Sequence, residues 1–176
     1  MIKIFLDTEF TGLHKETTLI SIGLIAESGQ TFYAELTNYD KYQISPWIQE
    51  NVIKNLTLLE ESYGYKCYSN ESMICKGDTD FVKQELTGWL SQFDSIKIYA
   101  DVLAYDWVLF CNIFDSALDI PKNIHYIPRD ISTILECMGI DPDIDRSLLV
   151  GNNKLNRHNA MDDAMLTKLV YENIII

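Results

Sequence analysis

The hydrophobic positions along this chain repeat first as strands and then alternate between strands and helices. Ile2, Ile4, Phe5 and Leu6 make an apolar run, interrupted at Lys3, that leads directly into Asp7, so residues 2–7 read as a strand. The stretch LISIGLIA at 19–26 reads as a second strand and TFYAEL at 31–36 as a third, with the turn ESGQ between them and Gly29 suited to its positive φ. These three predict an antiparallel meander. Ser45 and Pro46 mark a helix start, because a serine hydroxyl accepts from the free N–H groups of a first turn and proline needs no N–H partner there. That helix is expected to run to about Leu56. Residues 57–77 are polar and Tyr-rich and read as an irregular excursion. Asp78 is a cap for a helix over 79–92, with Phe81, Val82, Leu86, Trp89 and Leu90 on its apolar side. Then follow a buried strand at 96–100, a helix over 104–115, a short strand at 124–127 and a helix over 130–138 ending near Gly139. An Asp-, Asn- and Gly-rich loop at 141–157 precedes a last helix over 159–174. A meander followed by strand–helix alternation predicts an α/β protein, a mixed sheet with helices on both faces.

Composition narrows the class. A chain of 176 residues, 47% hydrophobic and 23% charged, fits one globular domain spanning 1–176. No stretch of 18 apolar residues exists, and the N-terminus lacks a basic region followed by a cleavable apolar stretch, so no membrane partner and a cytoplasmic location are expected. The four cysteines, Cys67, Cys75, Cys111 and Cys137, form no C-x-x-C and no zinc spacing, and read as reduced and mostly buried thiols. A net charge of −12 argues against strong nonspecific nucleic-acid binding. It is compatible with carboxylates that hold metal, since bound divalent cations reverse the local sign. Lys122, Arg129, Arg146, Lys154 and Arg157 gather in one stretch, either as solvated surface or as a phosphate-steering patch.

The acidic residues supply the candidate chemistry. Asp7 and Glu9 end the first strand at i and i+2, so their side chains point the same way and repel unless something positive lies between them. Asp106 lies among Leu103, Ala104, Tyr105, Trp107, Val108, Leu109 and Phe110, where a lone carboxylate needs a partner. Asp162 and Asp163 open the last helix beside His158. Hard oxygen donors without a cysteine or histidine cage point to Mg²⁺ or Mn²⁺. Carboxylates around two such ions about 4 Å apart form the two-metal arrangement of phosphodiester chemistry. A histidine titrating near neutrality suits the proton of an attacking water.

These segments resemble the three motifs of the DEDDh branch of 3'–5' exonucleases, which includes ribonuclease T, oligoribonuclease and polymerase proofreading subunits. D-x-E is matched by Asp7-Thr8-Glu9 with the loop FTGL after it, the middle Asp by Asp106 after a strand, and H-x4-D by His158 and Asp163. The D-T-E-F opening, the meander and the H-N-A-x-D-D ending bring the small stand-alone bacterial exoribonucleases nearest. The resemblance implies a ribonuclease H-like mixed sheet, with Asp7, Glu9, Asp106 and Asp163 as ligands of two divalent ions (Mg²⁺ or Mn²⁺) and His158 as general base. It implies that Phe10, Thr11, Gly12 and Leu13 line the pocket for the terminal nucleotide, with Leu13 or Phe10 packing on a base. The implied activity is a metal-dependent exoribonuclease on single-stranded RNA 3' ends that releases nucleoside 5'-monophosphates. The alternatives are a proofreading- or repair-type DNA exonuclease and a non-catalytic nucleic-acid-binding module of the same fold. Related enzymes are often homodimers, so a homodimer is a further expectation.

Local spacing and family spacing disagree at one point. Asp162 lies one helical turn after His158, which favours it as the histidine's partner, whereas the family motif selects Asp163. Asp162 is then a helix-start charge. Asp101 and Asp130 read as a strand-end charge and a helix cap, His14 and His125 as structural or exposed, and Trp107 as core.

Overall fold

The computed structural model describes residues 1–58, 64–69, 71–151 and 155–175. Strands β1 (Ile2–Phe10), β2 (Leu19–Ala26) and β3 (Thr31–Leu36) form the expected antiparallel meander. Helix α1 (Pro46–Asn51) starts at Ser45, whose hydroxyl accepts from the Ile48 N–H, and passes into a 3-10 turn at Ile53–Asn55. Strands β4 (Tyr65–Ser69) and β5 (Ser72–Gly77) precede α2 (Thr79–Leu90), β6 (Ile96–Ala100) and α3 (Ala104–Ile113). The two-residue β7 (Arg129–Asp130) leads into α4 (Ile131–Cys137), then α5 (Arg146–Val150) and α6 (Ala160–Val170). A π-helical turn, Tyr171–Ile175, ends the described chain. The described strands form one sheet ordered β4-β5-β3-β2-β1-β6-β7, with β1–β6, β3–β5 and β6–β7 parallel. This is the mixed, doubly covered sheet that the sequence implies. Among the described residues, no helix is long and apolar enough to cross a membrane.

Four expectations need correction. The stretch 57–77 holds two strands, and β5 pairs in parallel with β3. Lys76 disguised it: a lysine in a strand reads as an edge, but this one is buried with its ammonium 3.0 Å from Glu35 Oε2. Glu35 is fully buried and accepts from the N–H groups of Thr57 and Leu58 at 2.7 and 2.9 Å and from the Tyr33 hydroxyl at 3.1 Å. A buried ion pair needs such additional partners to offset desolvation. The strand expected at 124–127 is reduced to a single bridge between Ile124 and Ile96, and pairing resumes at β7, after Pro128. The loop 141–157 contains the short helix α5, capped by Asp145 through the Ser147 N–H. The cysteines are not mostly buried as expected: Cys75 and Cys111 are buried, whereas Cys67 and Cys137 are exposed.

Because side chains alternate along a strand, β1 feeds two cores. Ile4 and Leu6 pack with Val82, Leu86 and Leu90 of α2 and Phe110 of α3. Phe5 faces the other way, into Ile25, Tyr99, Ile131, Leu135, Ala164 and Val170. Burying a phenylalanine of this kind is worth about 1.5–3 kcal/mol. Asp7 and Glu9 continue the Phe5 side of the strand and so lie on the face covered by α6, while Thr8 faces α3. Ile20, Ile48 and Val52 make a third, smaller cluster that fixes α1 over β2.

Candidate active site

The end of β1 is a meeting point for three elements. Asp7 and Glu9 come from β1, Asp106 from the first turn of α3, and Asp163 from the first turn of α6. Two local devices bring the helices to the strand. Asp106 Oδ1 accepts from both the backbone N–H and the hydroxyl of Thr8, at 2.9 and 2.5 Å, which ties α3 to the residue between Asp7 and Glu9. Gly23 stands opposite Asp7 in the β1–β2 register, and a Cβ there would lie 2.3 Å from the Ala160 carbonyl oxygen. Only a glycine lets the start of α6 approach the sheet this closely.

The turn before α6 is built to aim one residue. His158 has a φ of 61°, the left-handed region that non-glycine residues avoid. Its N–H donates to Asp163 Oδ2 at 2.8 Å. Asn159 caps the helix by accepting from the Met161 and Asp162 N–H groups. The result places ligand atoms of Glu9, His158 and Asp163 within 4.8 Å of one another. Asp162 points elsewhere: its Oδ2 accepts from the N–H and side-chain amide of Asn156 at 2.9 and 3.1 Å.

Electrostatics sets these carboxylates apart from the other acids. Burial, reinforced by Asp163 and Asp106, pushes Glu9 up to about 8. Burial raises Asp7 well above the usual carboxylate range, with Asp106, Asp163, Glu9 and Asp101 adding like-charge repulsion. Asp106 is raised to about 6 by burial, against the opposing pull of the Thr8 hydrogen bonds. Asp163 is raised by burial, against the His158 N–H bond. Among the described residues, no lysine or arginine forms an ion pair with any of the four. Four clustered oxygen donors short of positive charge are a donor set that fits hard divalent cations.

The rim holds the loop after β1. Phe10 stacks on Tyr105, ring centroids 5.3 Å apart at 15°. Thr11 is buried in a hydroxyl network with Thr17, Thr18 and Gln43. Gly12 takes a φ of 153°, and Leu13 is 78% exposed. Trp47, also exposed, meets the His158 ring edge-on at 4.9 Å. Trp47, Tyr105 and Gly23 are contributors that sequence reasoning missed. A glycine in mid-strand was the available signal for Gly23; Trp47 and Tyr105 carry no signal of their own.

The remaining candidates lie outside this cluster. Asp101 binds Arg146 through both carboxylate oxygens, at 2.8 and 2.9 Å, and accepts from Ser132 at 2.7 Å. Arg157 pairs with Asp145. Two of the basic residues are therefore engaged by acids rather than displayed as a phosphate patch, and Lys154 lies outside the described residues. Asp130 caps α4 as expected, and Trp107 packs against the larger core. His14 is exposed, and His125 accepts from the Ile127 N–H.

A family model described as the 3'-5' exoribonuclease Rv2179c-like domain matches residues 2–175. Two curated relatives, the 3'-5' exoribonucleases Rv2179c and MT2234.1 of Mycobacterium tuberculosis strains H37Rv and CDC 1551, are each 27% identical over 169 residues. Those matches cover 91% of this chain and 95% of the relatives. Among solved structures, the Neurospora crassa Pan2 catalytic unit, with its protease and nuclease domains, aligns at 16% identity with a TM-score of 0.47. That match covers 97% of this chain and 26% of the other. With the family model spanning nearly its whole length, the chain belongs to the family of Rv2179c-like 3'-5' exoribonuclease domains.

Proposed function

We propose that this chain is a DEDDh-type, metal-dependent exoribonuclease that removes nucleoside 5'-monophosphates from single-stranded RNA 3' ends. The observation that carries the reading is the convergence of Asp7, Glu9, Asp106, Asp163 and His158 at the end of β1, in a chain of an exoribonuclease family. Asp7, Glu9, Asp106 and Asp163 would hold two divalent ions, Mg²⁺ or Mn²⁺. When bound, the ions supply the positive charge that keeps the four carboxylates ionised and offsets negative charge developing on the scissile phosphate.

The chain's own residues do the rest. The His158 imidazole takes a proton from the attacking water as its oxygen bonds to phosphorus. The bond from phosphorus to the 3'-oxygen of the penultimate nucleotide breaks, and that oxygen leaves with a proton from solvent. Asp163 holds the His158 turn through the backbone N–H. Phe10 and Leu13, and the exposed Trp47 beside His158, would offer apolar surface for the terminal base, and Thr11 and Gly12 would line the pocket near its sugar.

Matched 5'-labelled RNA and DNA single strands test the reading, with the released mononucleotide identified by mass. RNA shortened stepwise to 5'-monophosphates, faster than DNA, is the expected result. Faster cleavage of DNA would reassign the substrate to a repair- or proofreading-type class. Cleavage of neither by folded, metal-loaded protein would leave a binding module.

A further inference from the structure

The segment α1 and its following turn lies across the His158 turn and touches it at three points. Trp47 contacts the imidazole itself. Asn55 reaches both neighbours of His158: its side-chain amide donates to the Arg157 carbonyl at 3.1 Å, and its own carbonyl accepts from the Asn159 amide at 3.1 Å. The same Asn55 amide donates to the Asn51 carbonyl at 2.6 Å, so the clasp is anchored in the end of α1. In turn, α1 is seated on β2 through Ile48, Val52 and Ile20. The clasped residue has a left-handed backbone, a conformation that persists only where its surroundings enforce it. Asp163 restrains it from the α6 side, and nothing else described reaches residues 157 and 159 together.

We propose that Asn55 is a positioning residue for the general base: by gripping residues 157 and 159 it holds His158 in its left-handed turn, with the imidazole against Trp47 and within reach of the site. The inference rests on the reading of His158 as the base. Asn55 touches no carboxylate of the cluster and no position assigned to the RNA, so its loss acts on the rate of the bound complex rather than on binding.

The test combines kinetics with the ring signals of the histidines, which number three in this sequence and are readily assigned in proton–carbon NMR spectra of the metal-free protein. In the wild type the His158 ring, 4.9 Å from the Trp47 ring, is expected to carry a ring-current shift. Asn55→Ala removes the amide, and Asn55→Asp replaces it with an oxygen facing two carbonyls; the second covers the case in which the first fails to fold. In either variant kcat on a short RNA is expected to fall about 10- to 100-fold while KM and Mn²⁺ affinity stay near wild type. The His158 ring shift should collapse toward that of a mobile side chain, with the His14 and His125 signals unmoved. Wild-type kcat in a folded variant overturns the proposal. So does a lost kcat with the His158 signal unchanged, since the residue would then act by another route. The broader reading fails separately: a fully active His158→Ala removes the base assignment whatever the Asn55 variants do.

Discussion

At the residue scale, the proposed mechanism assigns different work to His158 and Asp163. His158→Ala removes the proposed base but none of the four carboxylates. Turnover should fall about 100- to 10,000-fold, the usual worth of a positioned acid–base group, with Mn²⁺ binding by calorimetry unchanged. Asp163→Ala should cripple the enzyme far more than Asp162→Ala, because Asp163 faces the His158 turn and Asp162 is spent on Asn156. The reverse order in initial rates would show that the wrong member of the pair was assigned. The D-x-E and H-x4-D spacings made it legible in the sequence which side chains gather at the end of β1. The choice between the adjacent aspartates came from the family motif, because the i+4 rule taken alone leaned toward Asp162, whereas in the fold Asp163 accepts from the His158 N–H. That rule assumes helix at both positions, and His158 lies before the helix in a left-handed conformation.

The same residues make a pH prediction. Glu9 titrates near 8 in the fold against a usual value of 4.5. Between those values the native protein retains a proton that the unfolded chain has released. Metal-free stability is therefore present in full below the unfolded value and is lost as pH rises toward the folded one. Asp7, Asp106 and Asp163 shift in the same direction. Calorimetry in chelator should show the melting temperature falling from pH 5 to pH 8. Mn²⁺ should restore it, most strongly at the upper end, by about 2.7 kcal/mol at a hundredfold excess over Kd. A melting temperature independent of pH and of Mn²⁺ would contradict the charge-deficit picture.

Among the elements, the decisive contact is α6 against β2. Gly23→Ala places a methyl group on the Ala160 carbonyl, so the helix must move away from β2, and with it from Asp7 and Glu9 on the adjoining β1. A displacement of about 1 Å at a catalytic centre can cost about 100-fold in rate, and this variant should lose about that much kcat while its circular dichroism remains native. Unchanged kinetics would show that α6 can shift without disturbing the cluster. The meander and the long helices were legible because their apolar periods are regular. Strand β5 was not, because its inward Lys76 follows long-range pairing with Glu35 that no local pattern records. Strand β7 is two residues long and α5 five, too short for periodicity to register.

The whole molecule is acidic, and among the described residues nine lysines and arginines stand in ion pairs with acids. With a net charge of −12, and with Arg146 and Arg157 held by Asp101 and Asp145, long basic tracks for RNA are absent among the described residues. Substrate should be gripped at its end, through few phosphates. The salt dependence of KM should then be shallow, with a log–log slope of about 1 to 2, as for one or two released counterions. Lengthening the RNA beyond a few nucleotides should change KM little. A steep salt slope that grows with length would reveal an extended track.

Stepwise cleavage of a 5'-labelled single-stranded RNA, with wild type and Asp7→Asn compared in Mg²⁺, Mn²⁺ and chelator, is the decisive test of a metal-holding cluster. The expected result is a ladder receding one nucleotide at a time from the 3' end with either metal, abolished by chelator and in the variant. A ladder that persists in chelator, or in Asp7→Asn at the wild-type rate, would contradict a metal-holding carboxylate cluster at the end of β1.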